Sequence, residues 1–114
     1  MAPLPRLTRR AEFLKVAASR RKSVAPGLIL QASSAEPDAP LRVGFTASRK
    51  VGNAVARNRA RRRLRAAAAE ILPAHAAPGH DYVVIARQET LDRAYADLLA
   101  DLAAGLKRLG VYRA

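Results

Sequence analysis

The alternation of apolar and polar positions along the chain predicts three strands. Residues 28–32 form a short apolar run bounded by turn signals, and residues 41–48 alternate with a period of two. We expect these two strands to pair with each other across the loop at 33–40. Residues 82–86 form a nearly continuous apolar run, which predicts a third strand that is buried on both faces.

Helical spacing of apolar residues predicts one helix before these first two strands and one after them. The first covers residues 8–18, and Thr8 can cap it. The second is long and covers residues 53–72, with Asn53 as a natural cap and Pro73 as a natural stop.

A third helix is predicted after the last strand. Thr90 or Asp92 can begin it, leucines recur along one face, and Gly110 can end it. Segment 19–22, between the first helix and the first strand, is expected to be a basic hinge. The order α-β-β-α-β-α predicts a single domain over residues 1–114 in the α+β class, a sandwich of one sheet against helices.

Charge is the strongest signal in the composition. The chain has 114 residues, half of them hydrophobic, with 21 Lys and Arg against 9 Asp and Glu and no cysteine. A net charge of +12, carried mostly by arginine, favours a polyanionic partner, most commonly a nucleic acid. No apolar run reaches the roughly 18 residues of a membrane span, and the first ten residues lack the apolar region of a secretory signal. We therefore expect a cytoplasmic protein with no membrane partner.

The basic residues concentrate on the long predicted helix and the residues just before it. Between residues 49 and 65 there are eight basic residues and no acid. On a helical wheel, one apolar arc should face the sheet, and it contains Ala56, Ala60, Leu64, Ala67 and Ile71. The opposite arc and its flanks hold Asn58, Arg59, Arg61, Arg62 and Arg65. Arg57 and Arg63 lie at the boundaries, where their heads can reach outward. Arginines on one face repel each other by a few tenths of a kcal/mol per i,i+4 pair, and no acid in this region offsets the repulsion. Bound phosphates would offset it, so this face is predicted to bind phosphates.

The same region carries a specific resemblance. The sequence reads SRKVGNAV over 48–55 and RNRARRRLR over 57–65, with LRVG at 41–44 and DYVVIAR at 81–87. It resembles the protein subunit of bacterial ribonuclease P, in which an Arg-Asn-Arg core lies in a basic helix behind a basic pair and Gly-Asn-Ala-Val. The likeness extends over nearly the whole chain.

The resemblance implies a fold and a function. The fold would be a small α/β sandwich whose sheet includes a left-handed crossover, against the usual right-handed rule. The protein would bind a large catalytic RNA, and the ribonucleoprotein would remove the 5′ leader of precursor tRNA as an endonuclease. The RNA would supply the Mg²⁺ site, so the protein alone would bind no cofactor, no metal and no small-molecule substrate.

Site residues follow from the matching positions. Arg49 and Lys50 match the basic pair of the family, and Phe13 matches an aromatic of a cleft that holds the single-stranded leader. The matching RNA-contacting helix contains Arg57, Asn58, Arg59, Arg61, Arg62 and Arg65. Two positions depart from the family pattern, because Ala17 and Ala32 stand where aromatics are common.

No catalytic group of residues is visible in the sequence. His75 and His80 flank a Pro-Gly loop without neighbouring acids, and they are expected to be surface residues. Asp97 and Asp101 are expected on the solvated outer face of the last helix. Three alternatives stay open on the residues alone: a ribosomal or other structural RNA-binding protein, a nuclease that acts without RNA, and a DNA-binding protein.

Overall fold

The structure contains three helices and one four-stranded sheet. It is a computed structural model, and it describes residues 4–114. In chain order the elements are α1 (Arg10–Ala18), β1 (Lys22–Val24), β2 (Leu28–Ser34), β3 (Arg42–Thr46), α2 (Ala54–His75), β4 (His80–Ala86) and α3 (Tyr95–Arg108). A short 3₁₀ turn at Gln88–Leu91 precedes α3. The predicted α+β class is confirmed.

The strands lie in the order β1-β2-β4-β3, so the prediction that the strands at 28–32 and 41–48 pair with each other was wrong. Both pair with β4, antiparallel in the case of β2 and parallel in the case of β3. β4 is apolar on both faces, as predicted, with only His80 and Ile85 half-buried. A strand buried on both faces belongs inside the sheet, where β2 and β3 pair with its backbone on both edges and helices cover its two faces.

Segment 19–22 is not a hinge, because it leads directly into β1. Lys22–Val24 pairs antiparallel with β2 through a tight turn around Pro26 and Gly27. A three-residue strand with exposed ends is too short to show a period in the sequence. The observed order is therefore α-β-β-β-α-β-α.

Helices cover both faces of the sheet, as the sandwich prediction requires. α2 and α3 pack on one face against a core that includes Leu30, Leu64 and Tyr82, all fully buried. α1 packs on the other face, where Val16 and Val83 form a smaller buried cluster with Leu7, Phe13 and Ile85. Within residues 4–114, no helix is both long and apolar enough to cross a membrane.

α2 connects two parallel neighbouring strands, β3 and β4. This is the position at which the resemblance implies a left-handed crossover, and the hand of the connection stays a prediction. Asn53 caps the helix as expected, since its side chain accepts a hydrogen bond from the Ala56 N–H at 2.9 Å. Pro73 does not end the helix, which continues to His75. So close to the end of the helix, the missing N–H removes only one bond, to the carbonyl of the exposed residue Ala69.

α3 begins later than predicted. Thr90 lies in the 3₁₀ turn and Asp92 follows it, whereas the helix starts at Tyr95. The expected end is confirmed, because Gly110 follows the last turn with a φ of +73° and the Val111 N–H donates to the Leu106 carbonyl at 2.9 Å.

Candidate nucleic-acid interface

The exposed face of α2 carries the predicted basic residues. Ala60 and Leu64 point into the core and are fully buried, whereas Asn58, Arg62 and Arg65 are exposed. The wheel prediction is therefore confirmed for both arcs. Around this face, Arg49, Lys50 and Arg59 are also exposed, and Arg57 and Arg61 are half-buried. We call these eight residues, Arg49, Lys50, Arg57, Asn58, Arg59, Arg61, Arg62 and Arg65, the α2 basic surface.

The charge of the α2 basic surface is not neutralised within the described chain. Every ion pair between residues 4 and 114 involves Arg42, Arg87 or Arg93, and none of these belongs to the surface. One guanidinium N–H of Arg61 donates to the Asn58 side-chain oxygen at 2.5 Å, which leaves the Asn58 amide to act as a donor. The surface therefore presents N–H donors and positive charge with no carboxylate partner among the described residues, which suits a polyanion.

Arg63 is the exception among the arginines of α2. Its guanidinium donates to the backbone carbonyls of Thr90, Leu91 at 3.2 Å and Arg93 at 2.6 Å. The expectation that this head reaches outward was therefore wrong. Arg63 fastens α2 to the segment before α3, and the sequence gives no local signal that separates it from its neighbours.

Phe13 lies on the opposite side of the sheet, in the region between α1 and the strands where the resemblance implies a cleft. It is half-buried, and its ring lies over Gly44 so closely that a Cβ there would be 2.6 Å from Cζ of Phe13. The absence of a side chain at Gly44 therefore leaves room for this ring. Ala17, one turn later on α1, is exposed.

The second position that departs from the family pattern, Ala32, does not lie where a cleft aromatic would. Ala32 is fully buried among the residues that face α2 and α3, so it does not face the cleft. Side chains alternate along a strand, and the neighbouring Gln31 lies on the α1 side, paired with Val83. Gln31 is therefore the β2 residue to compare with a cleft aromatic.

A charged network closes one end of the cleft. Arg42 donates two hydrogen bonds to Asp81, at 3.0 and 2.8 Å, and one to Glu12 at 2.5 Å. Glu12 also accepts the backbone N–H groups of Thr8 and Arg9, at 3.0 and 2.8 Å. Thr8 does not cap α1, since Arg9 holds the N-cap position and Glu12 satisfies the end of the helix. These backbone bonds, together with the Arg42 charge, lower the pKa of Glu12.

The other end of the cleft opens toward the α2 basic surface. A cavity of about 320 Å³ is lined there by Lys50, Ile85 and Arg87, among others. Ile85 also packs against the cluster that contains Phe13, so this cavity borders the Phe13 region on the same face of the sheet. One N–H of Arg87 donates to the Ala25 carbonyl at 2.6 Å, which fixes that side chain at the rim.

The remaining candidates for chemistry have structural roles. Asp101 is buried, binds Arg93 through two hydrogen bonds and accepts the Gly27 N–H at 3.0 Å, so the expectation of a solvated position was wrong. Asp97 is exposed, as expected. His75 is half-buried and stacks on Tyr112 with ring centroids 4.9 Å apart. Over residues 4–114, no three His, Asp or Glu side chains lie close enough together to hold a metal ion.

Comparison with known proteins shows the family of this chain. The model of the family described as Ribonuclease P matches residues 1–110. The chain belongs to the ribonuclease P protein family. The ribonuclease P protein component of Paramagnetospirillum magneticum is 63% identical, over 96% of this chain and 85% of that protein. That of Gluconacetobacter diazotrophicus is 49% identical, over 93% and 91%.

Solved ribonuclease P proteins share the fold. The Staphylococcus aureus protein has a TM-score of 0.78 at 25% identity, covering 95% of this chain and 97% of its own. The Thermotoga maritima protein has a TM-score of 0.72 at 22% identity, covering 91% and 94%, and shows the fold alone. As a ribonuclease P protein component, the chain is part of a bacterial ribonucleoprotein of tRNA processing, and RNA binding follows from the family. Membership decides against a ribosomal or a DNA-binding protein.

Proposed function

We propose that the protein binds the catalytic RNA of ribonuclease P through the α2 basic surface and holds the 5′ leader of precursor tRNA in the cleft beneath α1. The observation that carries this proposal is the adjacency of the two regions. Lys50 belongs to the basic surface and lines the cavity, and Ile85, which also lines it, packs against the cluster that contains Phe13. In this proposal an RNA strand bound on α2 passes Lys50 and Arg87 on its way to Phe13, and Glu89, 3.8 Å from Arg87, is the acidic residue on that path.

The side-chain chemistry of α2 supports RNA binding. Arginine presents a planar fork that fits two phosphate oxygens, and these forks have no carboxylate partner within the described chain. The Leu64 side of the helix anchors them, because it is buried and rigidly packed. Each phosphate neutralised releases counterions, so the affinity should fall steeply with salt.

The cleft supports the binding of a single strand. The exposed part of the Phe13 ring offers a stacking face, and Lys50 and Arg87 flank the path with positive charge. Stacking a base on an aromatic contributes about 1–3 kcal/mol and tolerates every base. With Ala17 in place of a second aromatic, leader binding depends on one ring and on charge.

We assign the hydrolytic chemistry to the RNA subunit and its Mg²⁺. The protein would act by binding and orienting RNA, which raises the local concentration of substrate at the catalytic RNA. Because the relatives are bacterial and bacterial transcripts are made in the cytoplasm, we place the activity there.

Reconstitution tests this proposal. The purified protein is added to the cognate catalytic RNA, and 5′ cleavage of precursor tRNA is followed at a Mg²⁺ concentration too low for the RNA alone. We expect accurate cleavage only when both subunits are present. Lack of any stimulation, with the protein shown to be folded by circular dichroism, would contradict the proposed role.

A further inference from the structure

A second basic surface lies at the far edge of the sheet. Segments 19–35 and 102–114 contain no acidic residue, and they meet where β1 packs beside the end of α3. Arg21 reaches the Leu109 carbonyl at 2.9 Å, and Arg108 reaches the Val24 carbonyl at 3.3 Å. We call the basic residues gathered there the β1-edge surface; they are Arg20, Arg21, Lys22, Lys107 and Arg108.

Structural roles account for only part of this surface. Arg21 and Arg108 hold backbone carbonyls, and Lys107 lies 4.7 Å from the centre of the Tyr112 ring. Arg20 and Lys22, in contrast, are exposed and make no side-chain hydrogen bond or ion pair within residues 4–114. The charges of Arg20 and Lys22 therefore have no partner within the described chain.

The backbone of Arg20 adds an independent indication. Its φ of +58° lies in the left-handed region that favours glycine, and no other non-glycine residue in the described chain has a positive φ. Glycine would end α1 at this position without strain. An arginine held in a strained backbone points to a function for its side chain.

The β1-edge surface is separate from the α2 basic surface. β1 and β3 are opposite edges of the sheet, and the basic pair and α2 follow β3 along the chain. Three interstrand spacings amount to about 14 Å, which exceeds the Debye length of about 8 Å at physiological salt. The two surfaces therefore attract phosphates independently, and one RNA segment on α2 does not neutralise the far edge.

We propose that the β1-edge surface binds the phosphate backbone of a second RNA segment while the α2 basic surface is occupied. The proposal rests on the proposed function, since it assigns a further contact to the same ribonucleoprotein. The phosphates come either from the catalytic RNA or from the precursor tRNA, and both present the same chemistry to Arg20 and Lys22.

The test is a variant that removes charge without disturbing the fold. Arg20→Gly combined with Lys22→Gln takes away two exposed charges and relieves the strained φ, so its thermal midpoint should equal or exceed that of the wild type. Binding is measured across a salt series, first to the catalytic RNA alone and then to precursor tRNA by the assembled ribonucleoprotein. We expect the log–log salt slope to fall by about one to two units in one of the two series, and that series identifies the RNA.

Two controls separate local contact from general charge. Arg20→Lys with Lys22→Arg keeps both charges and should keep the wild-type slope. Ala96→Glu with Ala100→Glu lowers the net charge by the same two units on the exposed side of α3 and should change the slope less than the Arg20 and Lys22 pair does.

The outcomes distinguish this proposal from the proposed function. Arg62→Ala with Arg65→Ala, on the α2 basic surface, is measured in parallel. If that pair lowers the slope and the β1-edge pair changes neither series, the second surface is overturned and the function stands. If both pairs leave every slope unchanged, the proposed RNA-binding role of α2 fails as well.

Discussion

Adjacent arginines on α2 differ in role because each lies at a different angle around the helix. Arg62 points to solvent, whereas Arg63, the next residue, turns inward to three backbone carbonyls. A step of about 100° per residue carries a side chain from the outer face to the edge of the core. At the residue scale, the angle around the helix therefore separates the exposed arginines that we propose to bind RNA from the structural ones.

The outward arginines should contribute to affinity and not to folding. Arg62→Ala with Arg65→Ala is expected to flatten the log–log salt dependence of RNA binding by about one to two units. The thermal midpoint should hold or rise slightly, because like-charge repulsion is relieved. Salt titrations and thermal melts measure the two effects.

Leu64→Ala is the matched control on the opposite arc. It should lower the free energy of unfolding by about 2–5 kcal/mol, since it opens a cavity in the core, and leave the salt slope of the folded protein unchanged. An unchanged slope in the double arginine variant would mean that this face is only solvated.

Phe13 should discriminate precursor from mature tRNA. Phe13→Leu keeps much of the volume over Gly44 but loses the stacking face, so affinity for leader-bearing tRNA should fall by about 1 kcal/mol or more. Binding of mature tRNA should barely change. In the reverse direction, Ala17→Phe places an aromatic at an exposed position one turn later and should raise affinity for the precursor. Equal losses for precursor and mature tRNA in Phe13→Leu would indicate a packing role alone.

At the scale of elements, the hydrogen bonds and ion pairs of two arginines, which we call polar clamps, hold the helices in place. Arg42 of β3 joins Glu12 of α1 to Asp81 of β4, and Arg63 joins α2 to the segment before α3. These contacts set the position of α1 over the cleft and the position of the α2 basic surface. A substitution that removes either set of contacts should therefore lower the free energy of unfolding and leave the salt dependence of RNA binding largely unchanged.

Arg63→Leu tests the clamp on α2. The substitution leaves partly buried carbonyls without a donor, and we expect the free energy of unfolding to fall by about 1–3 kcal/mol. The salt slope of RNA binding should stay at the wild-type value, because Arg63 does not face the RNA. A slope reduced as in the outward pair, with unchanged stability, would contradict the structural role.

Glu12 should give α1 a pH-dependent anchor. Its pKa in the folded protein lies below the ordinary value of 4.5, so the carboxylate stabilises the fold above pH 4.5 and loses this effect as the pH falls through the lowered pKa. Glu12→Gln should therefore melt at a lower temperature than the wild type at neutral pH. The gap should close under acidic conditions, when wild-type Glu12 is protonated and resembles glutamine. A gap that persists unchanged below the lowered pKa would rule out this anchor.

At the scale of the whole molecule, one sheet separates two kinds of RNA contact. α2 lies on one face and the cleft beneath α1 lies on the other, and they meet at the end of β4 near Lys50. The charged side chains within the fold are paired with one another, as Arg93 with Asp101 shows. In this proposal the protein is a scaffold for RNA.

The isolated protein should not hydrolyse RNA. No described group of residues can activate a water or hold a metal between residues 4 and 114, so precursor tRNA incubated with protein and Mg²⁺ should stay intact. Gel analysis of the 5′ end measures this. Accurate 5′ cleavage by protein free of RNA would support the alternative of a nuclease that acts alone.

The sequence by itself determined the elements and the exposed face of α2. The periodicity of apolar residues is a local property, so it located α2 and the apolar strand β4, and it assigned Leu64 and Arg62 to opposite arcs. The motif around residues 48–65 also identified the family, because a long match in local order is specific.

Only the tertiary structure decided what depends on residues distant in the chain. The pairing of β2 and β3 with β4, rather than with each other, places the apolar strand inside the sheet, where its backbone is paired on both edges and helices cover both faces. The inward turn of Arg63 depends on carbonyls 27 to 30 residues away, and the burial of Asp101 on a turn 74 residues away. Local periodicity carries no information about such partners, because the energy of each contact arises only when packing brings the two segments together.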